Sequence, residues 1–453
     1  MARKFLSFLG KNDYKECCYV FQRDDIKEEV KTKFIQEALV KILCKDWNEE
    51  DKVIVFLTKE AEKSNWNNEE NPNRRLKERF EKYFEKYDIK IKDIIKPVNV
   101  PEGKNEKEIW EIFDKVLNEI DESDEIIFDI THSFRSLPML ALVILNYAKV
   151  LKNIKLKGIY YGAYEARVLE EGEEKAPIFN LTAFDELLEW TQAVNTFLKY
   201  GNSGHLREIS KTVLKEQLSK RDKLAISINS FIKRLENFTN CIYTCRGKYI
   251  DNVKGADERS VQYAYNLMKQ KLDEVVREEN HVLKPIVPLF KKIERETQNF
   301  ENANNFSTGM AVVKWSIKNN LTQQAYTALE ETLKTYICMK FGLDETNAKE
   351  RENIAKTALI IKGAKKEKNS WKIEDTDKFS KEEVKKKVEY IVNNIEDELG
   401  KIADRLSKLR NDINHFGYSG DTATKCSDLH REIKNIYKEF EEYVKKHPID
   451  DKT

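Results

Sequence analysis

The chain has 453 residues and carries 80 basic and 79 acidic side chains, so a general electrostatic hold on nucleic acid is excluded and any such site must be a local patch. Charged residues make up 35% of it, yet 40% hydrophobic residues and 47 aromatics leave material for folded cores, which excludes a disordered chain. No apolar window reaches the length of a membrane span, and the apolar run over residues 5–9 is too short for a secretory leader. Seven scattered cysteines (Cys17, Cys18, Cys44, Cys241, Cys245, Cys338, Cys426) lack paired zinc-ligand spacing and read as reduced, mostly buried thiols of a cytoplasmic protein.

Along the first 180 residues short apolar runs alternate with helical stretches. Strands are predicted over 5–9, 17–21, 52–58, 94–100, 125–131 and 156–161, with helices over 25–43, 74–87, 105–120 and 136–151. That alternation predicts a Rossmann-like parallel sheet with helices on both faces, in a domain spanning 1–180. From Asp185 onward the strands stop and long amphipathic helices run to the end. A helical connector is expected over 181–300 and an all-α bundle over 301–453, the latter with helices at 312–341, 381–416 and 426–446.

Two stretches carry chemistry. Asp129-Ile130-Thr131-His132-Ser133-Phe134-Arg135-Ser136-Leu137-Pro138 stands where a buried strand gives way to an apolar helix. Pro138 falls in the first helical turn, where its missing N–H is harmless, and Ser133 or Ser136 can cap. The hydroxyls of Thr131 and Ser133, the Arg135 guanidinium and free helix N–H groups converge on the C-terminal edge of the sheet. Ligands bind at that edge of open α/β sheets, and helix N-termini favour anions. The loop Gly10-Lys11-Asn12-Asp13 after the first strand is expected to border the same cleft. Neither G-x-G-x-x-G nor a P-loop is present, so neither a nicotinamide nor a P-loop nucleotide site is expected. The turn fits a capped helix start covered by an arginine, and it fits a metal-free site for a phosphate-bearing ligand. His132 suits ligand contact, local packing or slow cleavage of the ligand.

The other stretch is Arg410-Asn411-Asp412-Ile413-Asn414-His415, followed by Phe416-Gly417. At about 100° per residue, Leu406, Leu409, Ile413 and Phe416 fall on one apolar stripe, beside a polar arc of Arg410, Asn414, Asn411 and His415. An arginine that can grip phosphate with two prongs, beside an imidazole of pKa about 6.5, meets the needs of RNA phosphodiester cleavage. Arg and His are also common on solvated helix faces, and the C-terminal dipole favours His there, so the pair has little specificity by itself.

In each other's company the two motifs resemble the CARF–HEPN ribonucleases of type III CRISPR systems. The resemblance rests on residues 5–13, on Asp129 to Pro138, on Arg410 to His415, and on the segment from Trp315 to Tyr326 and Glu330-Glu331, similar to the family's first HEPN helix. It implies a CARF sensor domain, a helical connector and a C-terminal HEPN bundle, assembled as a homodimer or a higher oligomer of dimers. Gly10, Lys11, Asn12, Thr131, His132, Ser133 and Arg135 would hold a cyclic oligoadenylate activator, cyclic tetra-adenylate first and cyclic hexa-adenylate second. Single-stranded RNA would be cleaved without metal or resident cofactor, His415 serving as acid or base, Arg410 stabilising charge and Asn411 orienting. His132 and Phe134 replace the glycines of the commoner sensor turn, which bears on ring size and adenine contacts. Two other readings fit part of the pattern. One is a ligand-binding transcriptional regulator using 185–300, whose best recognition segment, 215–223, is mixed in charge. The other is an enzyme that only degrades the cyclic messenger.

Overall fold

The computed structural model describes residues 2–23, 26–86, 94–132, 137–277, 284–301, 303–418 and 422–449. The chain packs as two compact units, Met1–Glu186 and Leu187–Thr453.

The first unit runs β1 (Arg3–Leu9), β2 (Cys17–Arg23), β3 (Ile26–Thr32), α1 (Ile35–Leu43), β4 (Lys52–Leu57), α2 (Leu76–Glu85), β5 (Ile95–Asn99), α3 (Glu106–Asn118), β6 (Glu125–Asp129), α4 (Leu137–Lys152), β7 (Lys155–Gly162), β8 (Val168–Glu170) and β9 (Glu173–Asn180). Its sheet has the order β3-β2-β9-β7-β6-β1-β4-β5, with β8 lying on β9. Strands β5, β4, β1, β6 and β7 are parallel neighbours. Counted in chain order those five stand 3-2-1-4-5, so the winding reverses between β1 and β6. A doubly wound sheet opens a crevice beyond its strand ends at that point.

Alternating side chains of the central strands serve two cores. Phe5 and Leu9 join Val53, Val55 and Leu57 on one face, with Leu39 of α1 and Phe80 of α2. Leu6 and Phe8 join Ile54, Phe56 and Phe128 on the other, with Ile112 of α3 and Leu145 of α4. Burial on both faces is why these strands read as unbroken apolar runs.

The helix expected over 25–43 is instead β3 followed by α1. Strand β3 pairs antiparallel with β2, from Cys17↔Thr32 to Arg23↔Ile26. Its Lys and Glu content suggests a helix, but the residues alternate, and sheet pairing outweighs the propensity. Charge along this outermost strand also blocks further pairing. Strands β8 and β9 have no counterpart in the sequence reading, because Pro177 and the charges of Glu173, Glu174 and Lys175 mask a strand that buries Ala176 and Ile178. The sheet is therefore mixed rather than wholly parallel: β9 runs parallel to β2 and antiparallel to β7.

From Thr182 the chain is helical: α5 (Thr182–Tyr200), α6 (Gly204–Val213), α7 (Lys223–Tyr243), α8 (Val261–Arg277), α9 (Val287–Thr297), α10 (Asn305–Lys318), α11 (Thr322–Lys340), α12 (Thr357–Ala364), α13 (Lys381–Asn394), α14 (Asp397–Asn414) and α15 (Cys426–Lys446) are its longer helices. One core running from Trp190 through Phe238 and Tyr326 to Tyr443 joins them, so the regions read as connector and as bundle share it. The helix expected over 312–341 is broken at Asn320, whose φ of +58° separates α10 from α11. The one expected over 381–416 divides at Ile395, which is extended. Among the described residues no helix is long and apolar enough to cross a membrane.

Phe56 tests the two-faced packing of the sheet, because it is fully buried and stacks near Phe8. Phe56→Ala is expected to lower the unfolding free energy of the first unit by about 3–5 kcal/mol in urea denaturation. A loss below about 1 kcal/mol would contradict that packing.

Candidate functional site

The crevice between β1 and β6 is organised by one carboxylate. Ser7 faces the same side of β1 as Phe5 and Leu9 yet is polar, and its hydroxyl donates to Asp129 Oδ2 at 2.7 Å. Asp129 Oδ1 accepts from the Thr131 N–H at 3.0 Å and from the Thr131 hydroxyl at 2.6 Å. The Thr131 oxygen in turn accepts from the Gly162 N–H, at the end of β7, at 2.8 Å. Three adjacent strands are thus tied together at their C-terminal ends. Burial pushes the Asp129 carboxyl above its ordinary range, while the hydrogen bonds from Thr131 and Ser7 pull it back.

The loop after β1 is held from the side. Asn65 is buried, and its amide donates to the carbonyls of Gly10 and Asn12, each at 2.8 Å. Arg74 donates to Asn65 Oδ1 at 3.1 Å and reaches the Lys11 carbonyl at 3.4 Å. Lys11 pairs with Glu60 on the surface. Gly10 permits close approach: a Cβ there would lie 2.4 Å from the Tyr14 hydroxyl oxygen.

Gly10, Lys11, Asn12, Thr131 and His132 all line one cavity of about 320 Å³, together with Tyr14 and the apolar walls Phe8, Phe56 and Ile112. His132 stacks on Tyr14, with ring centroids 4.2 Å apart and planes 27° from parallel. Burial pushes the His132 imidazole down to about 4, so at neutral pH it offers a ring face and a hydrogen bond but no positive charge. Ser133 and Arg135, the other two residues read as ligand contacts, lie outside the described residues. Asn65, Arg74, Tyr14 and Glu60 have no motif to announce them, because their roles arise only when distant loops meet.

The second candidate site is the end of α14. Leu399, Ile402 and Leu406 are buried, and Leu409 and Ile413 pack against the same core. Phe416 leaves the stripe expected for it: it is 90% exposed. The helix ends at Asn414 with His415 as its cap, and Phe416 adopts a φ of +56°. The Phe416 N–H donates to the Ile413 carbonyl at 3.1 Å and the Gly417 N–H to the Asp412 carbonyl at 2.8 Å. This is the closing pattern that glycine usually provides, so an aromatic residue here stores local strain. The result turns His415 out to solvent beside Asn411, which is exposed too. Asp412 points inward and accepts from the Thr424 N–H at 2.9 Å. Arg410, half-buried, faces Glu330 of α11, with Nε 3.0 Å from Oε2.

Residues 4–165 match the family described as "CRISPR system endoribonuclease Csx1, CARF domain". The chain carries a CARF domain. Its CARF match takes in the whole Ser7–Asp129–Thr131–Gly162 network. Residues 186–305 match the second domain of CRISPR-associated protein MJ1674. The protein of that name from Methanocaldococcus jannaschii is 30% identical over 245 residues, which are 53% of this chain and 34% of the relative. The chain thus spans about a third of the length of that relative. The two family matches end at residue 305, short of Glu330 and of Arg410 to His415.

The buried imidazole sets a pH dependence. With His132 at about 4 in the folded state and about 6.5 when unfolded, the unfolded chain takes up the proton first as pH falls. Its stabilising contribution is therefore complete above about 6.5 and lost as pH drops toward 4. Thermal melts between pH 7 and 5 are expected to show a smaller fall in Tm for His132→Phe than for the unaltered protein. Equal slopes would contradict a ring that burial keeps neutral.

Proposed function

We propose that this protein is a CRISPR-associated endoribonuclease of single-stranded RNA, switched on by a cyclic oligoadenylate and working without a metal. Its activator would sit at the β1–β6 crevice, across two CARF domains of a homodimer or of a higher oligomer built from dimers. Cyclic tetra-adenylate is the first choice of ring and cyclic hexa-adenylate the second. Gly10, Lys11, Asn12, Thr131, His132, Ser133 and Arg135 are its proposed contacts. A crevice lined by Lys11, Asn12 and a neutral imidazole stacked on Tyr14 suits a ligand with both bases and ribose-phosphates.

The observation that carries the nuclease assignment is the exposed helix end. Arg410 presents a permanent cation, and His415 stands in solvent five residues further on, held there by the Phe416–Gly417 closure. In the proposed reaction the RNA 2′-hydroxyl attacks its own phosphate, giving a 2′,3′-cyclic phosphate and a 5′-hydroxyl. His415 takes or returns the proton, for which an imidazole is suited near neutral pH. Arg410 meets the charge growing on the phosphoryl oxygens. Asn411 orients the guanidinium or the phosphate. Two such helix ends, one from each subunit, would form a composite site.

A fluorescent RNA reporter incubated with the protein in EDTA is expected to be cut only when cyclic tetra- or hexa-adenylate is added. A DNA reporter of the same sequence should survive, because it lacks the attacking hydroxyl. Arg410→Ala and His415→Ala are each expected to slow cleavage by about 10²–10⁴-fold. Full activity in His415→Ala would falsify the assignment.

A further inference from the structure

Arg410 has a single ion-pair partner among the described residues, and that partner comes from another helix: Glu330, near the middle of α11. The Glu330 side chain is 16% exposed and the Arg410 side chain 32%. Both facing atoms, Glu330 Oε2 and Arg410 Nε, are sealed from water, yet neither makes a hydrogen bond despite their 3.0 Å separation. Buried charged atoms are ordinarily both paired and hydrogen-bonded, so a pair that stops short of alignment needs a reason. Groups that act on a substrate are often loosely aligned until it arrives.

The surroundings single out Glu330. Its neighbour Glu331 is occupied by Lys334 and Arg351. Asp404, a turn and a half back along α14, is paired with Lys408, and Asp412 faces the Thr424 N–H. Glu330 also forms part of the wall of a groove of about 230 Å³ with Leu333, Leu359, Leu406 and Ser407. Lys334, Lys356 and Asp404 line the same groove, so its walls are mixed in character. Helix α11 is a firm base, since the Tyr326 hydroxyl donates to the Leu429 carbonyl at 2.9 Å and the Tyr336 hydroxyl to the His447 carbonyl at 2.7 Å.

A guanidinium carries its five N–H donors in one rigid plane. A carboxylate engaging the Nε edge restrains the swing of that plane, while the two terminal nitrogens, which make no hydrogen bond to a described residue, keep their donors for a phosphate. Resting on the ribonuclease reading above, we propose that Glu330 is the positioning residue for Arg410. Its charge, paired with the guanidinium at Nε, restrains that plane and leaves the two terminal nitrogens for the scissile phosphate. Glu330 itself touches neither RNA nor the reacting atoms.

The test uses the full chain, the RNA reporter, EDTA and whichever of cyclic tetra- or hexa-adenylate activates it. Glu330→Met keeps the bulk and removes the acceptor; it is expected to lower kcat by about 10–10²-fold, in the range that a small misplacement of a catalytic group causes, with KM within about threefold. Glu330→Gln, which keeps an acceptor in the same place, should recover most of that loss. The deciding readout is a double-mutant cycle: with Arg410 already changed to Ala, adding Glu330→Met should slow cleavage no further. A purely structural carboxylate would give additive losses, and that result, or Glu330→Met cleaving at the normal rate while Arg410→Ala does not, overturns the proposal. Should Glu330→Met fail to fold, Glu330→Asp, which withdraws the carboxylate by one methylene, is judged by the same criteria. If Arg410→Ala and His415→Ala both cleave normally, the ribonuclease reading itself has failed, and Glu330 has nothing to position.

Discussion

Asp129 is buried, ionisable and surrounded by donors drawn from its own strand end and from its neighbour. A carboxylate in that position is tolerable only while Ser7 and Thr131 satisfy it, and Thr131 satisfies it only in the backbone conformation that also receives the Gly162 N–H. The ends of β1, β6 and β7 are therefore fixed relative to one another by a chain of mutually dependent hydrogen bonds. Everything proposed for the sensor follows from this: a cavity between the loops after β1 and β6 keeps its shape without a ligand, because the network beneath it is already complete. The stacking of His132 on Tyr14 adds an aromatic wall that burial keeps uncharged.

The helical unit solves a different problem with similar economy. A helix carrying Arg410 must stop so that the following imidazole faces water, and the stop is made with Phe416 in a left-handed conformation where glycine would be easier. The strain is local and sits beside the residues proposed to do chemistry, which is where such strain tends to be kept. Behind Arg410, Glu330 supplies the counter-charge that a half-buried guanidinium requires. The proposed nuclease thus needs three conditions of its sequence: an arginine, an acid on a packed helix behind it, and a helix end that turns a histidine outward.

Much of this could be read from the residues. The unbroken apolar runs of β1, β4 and β6 announce a sheet buried on both faces, and the polar turn after β6 announces the cleft, since both signals are local. Strands β3 and β9 escape such reading because their charged sequences, with Pro177 in β9, become strands only through pairing, β3 with the adjacent β2 and β9 with β2 far back along the chain. The same limit hides Asn65 and Arg74, which act on loops some 50 to 60 residues away. At the helix end, periodicity places Phe416 on the apolar face because it assumes the helix continues; the backbone turns one residue earlier. Glu330 is a further instance, an acid on one helix whose meaning depends on a second helix folding against it.

The central claim is that occupancy of the Asp129-organised crevice governs cleavage at the helix end. The most direct measurement titrates the activating cyclic oligoadenylate by calorimetry while following RNA cleavage in two single variants. Thr131→Val, which removes the hydroxyl linking Asp129 to Gly162, is expected to weaken messenger binding by at least about tenfold, the loss of one hydrogen bond to a charged group, and to shift the concentration needed for cleavage by the same factor. His415→Ala is expected to bind the messenger as the unaltered protein does while cleaving almost nothing. Thr131→Val cleaving RNA at unaltered messenger concentrations, despite weakened binding, would contradict the account.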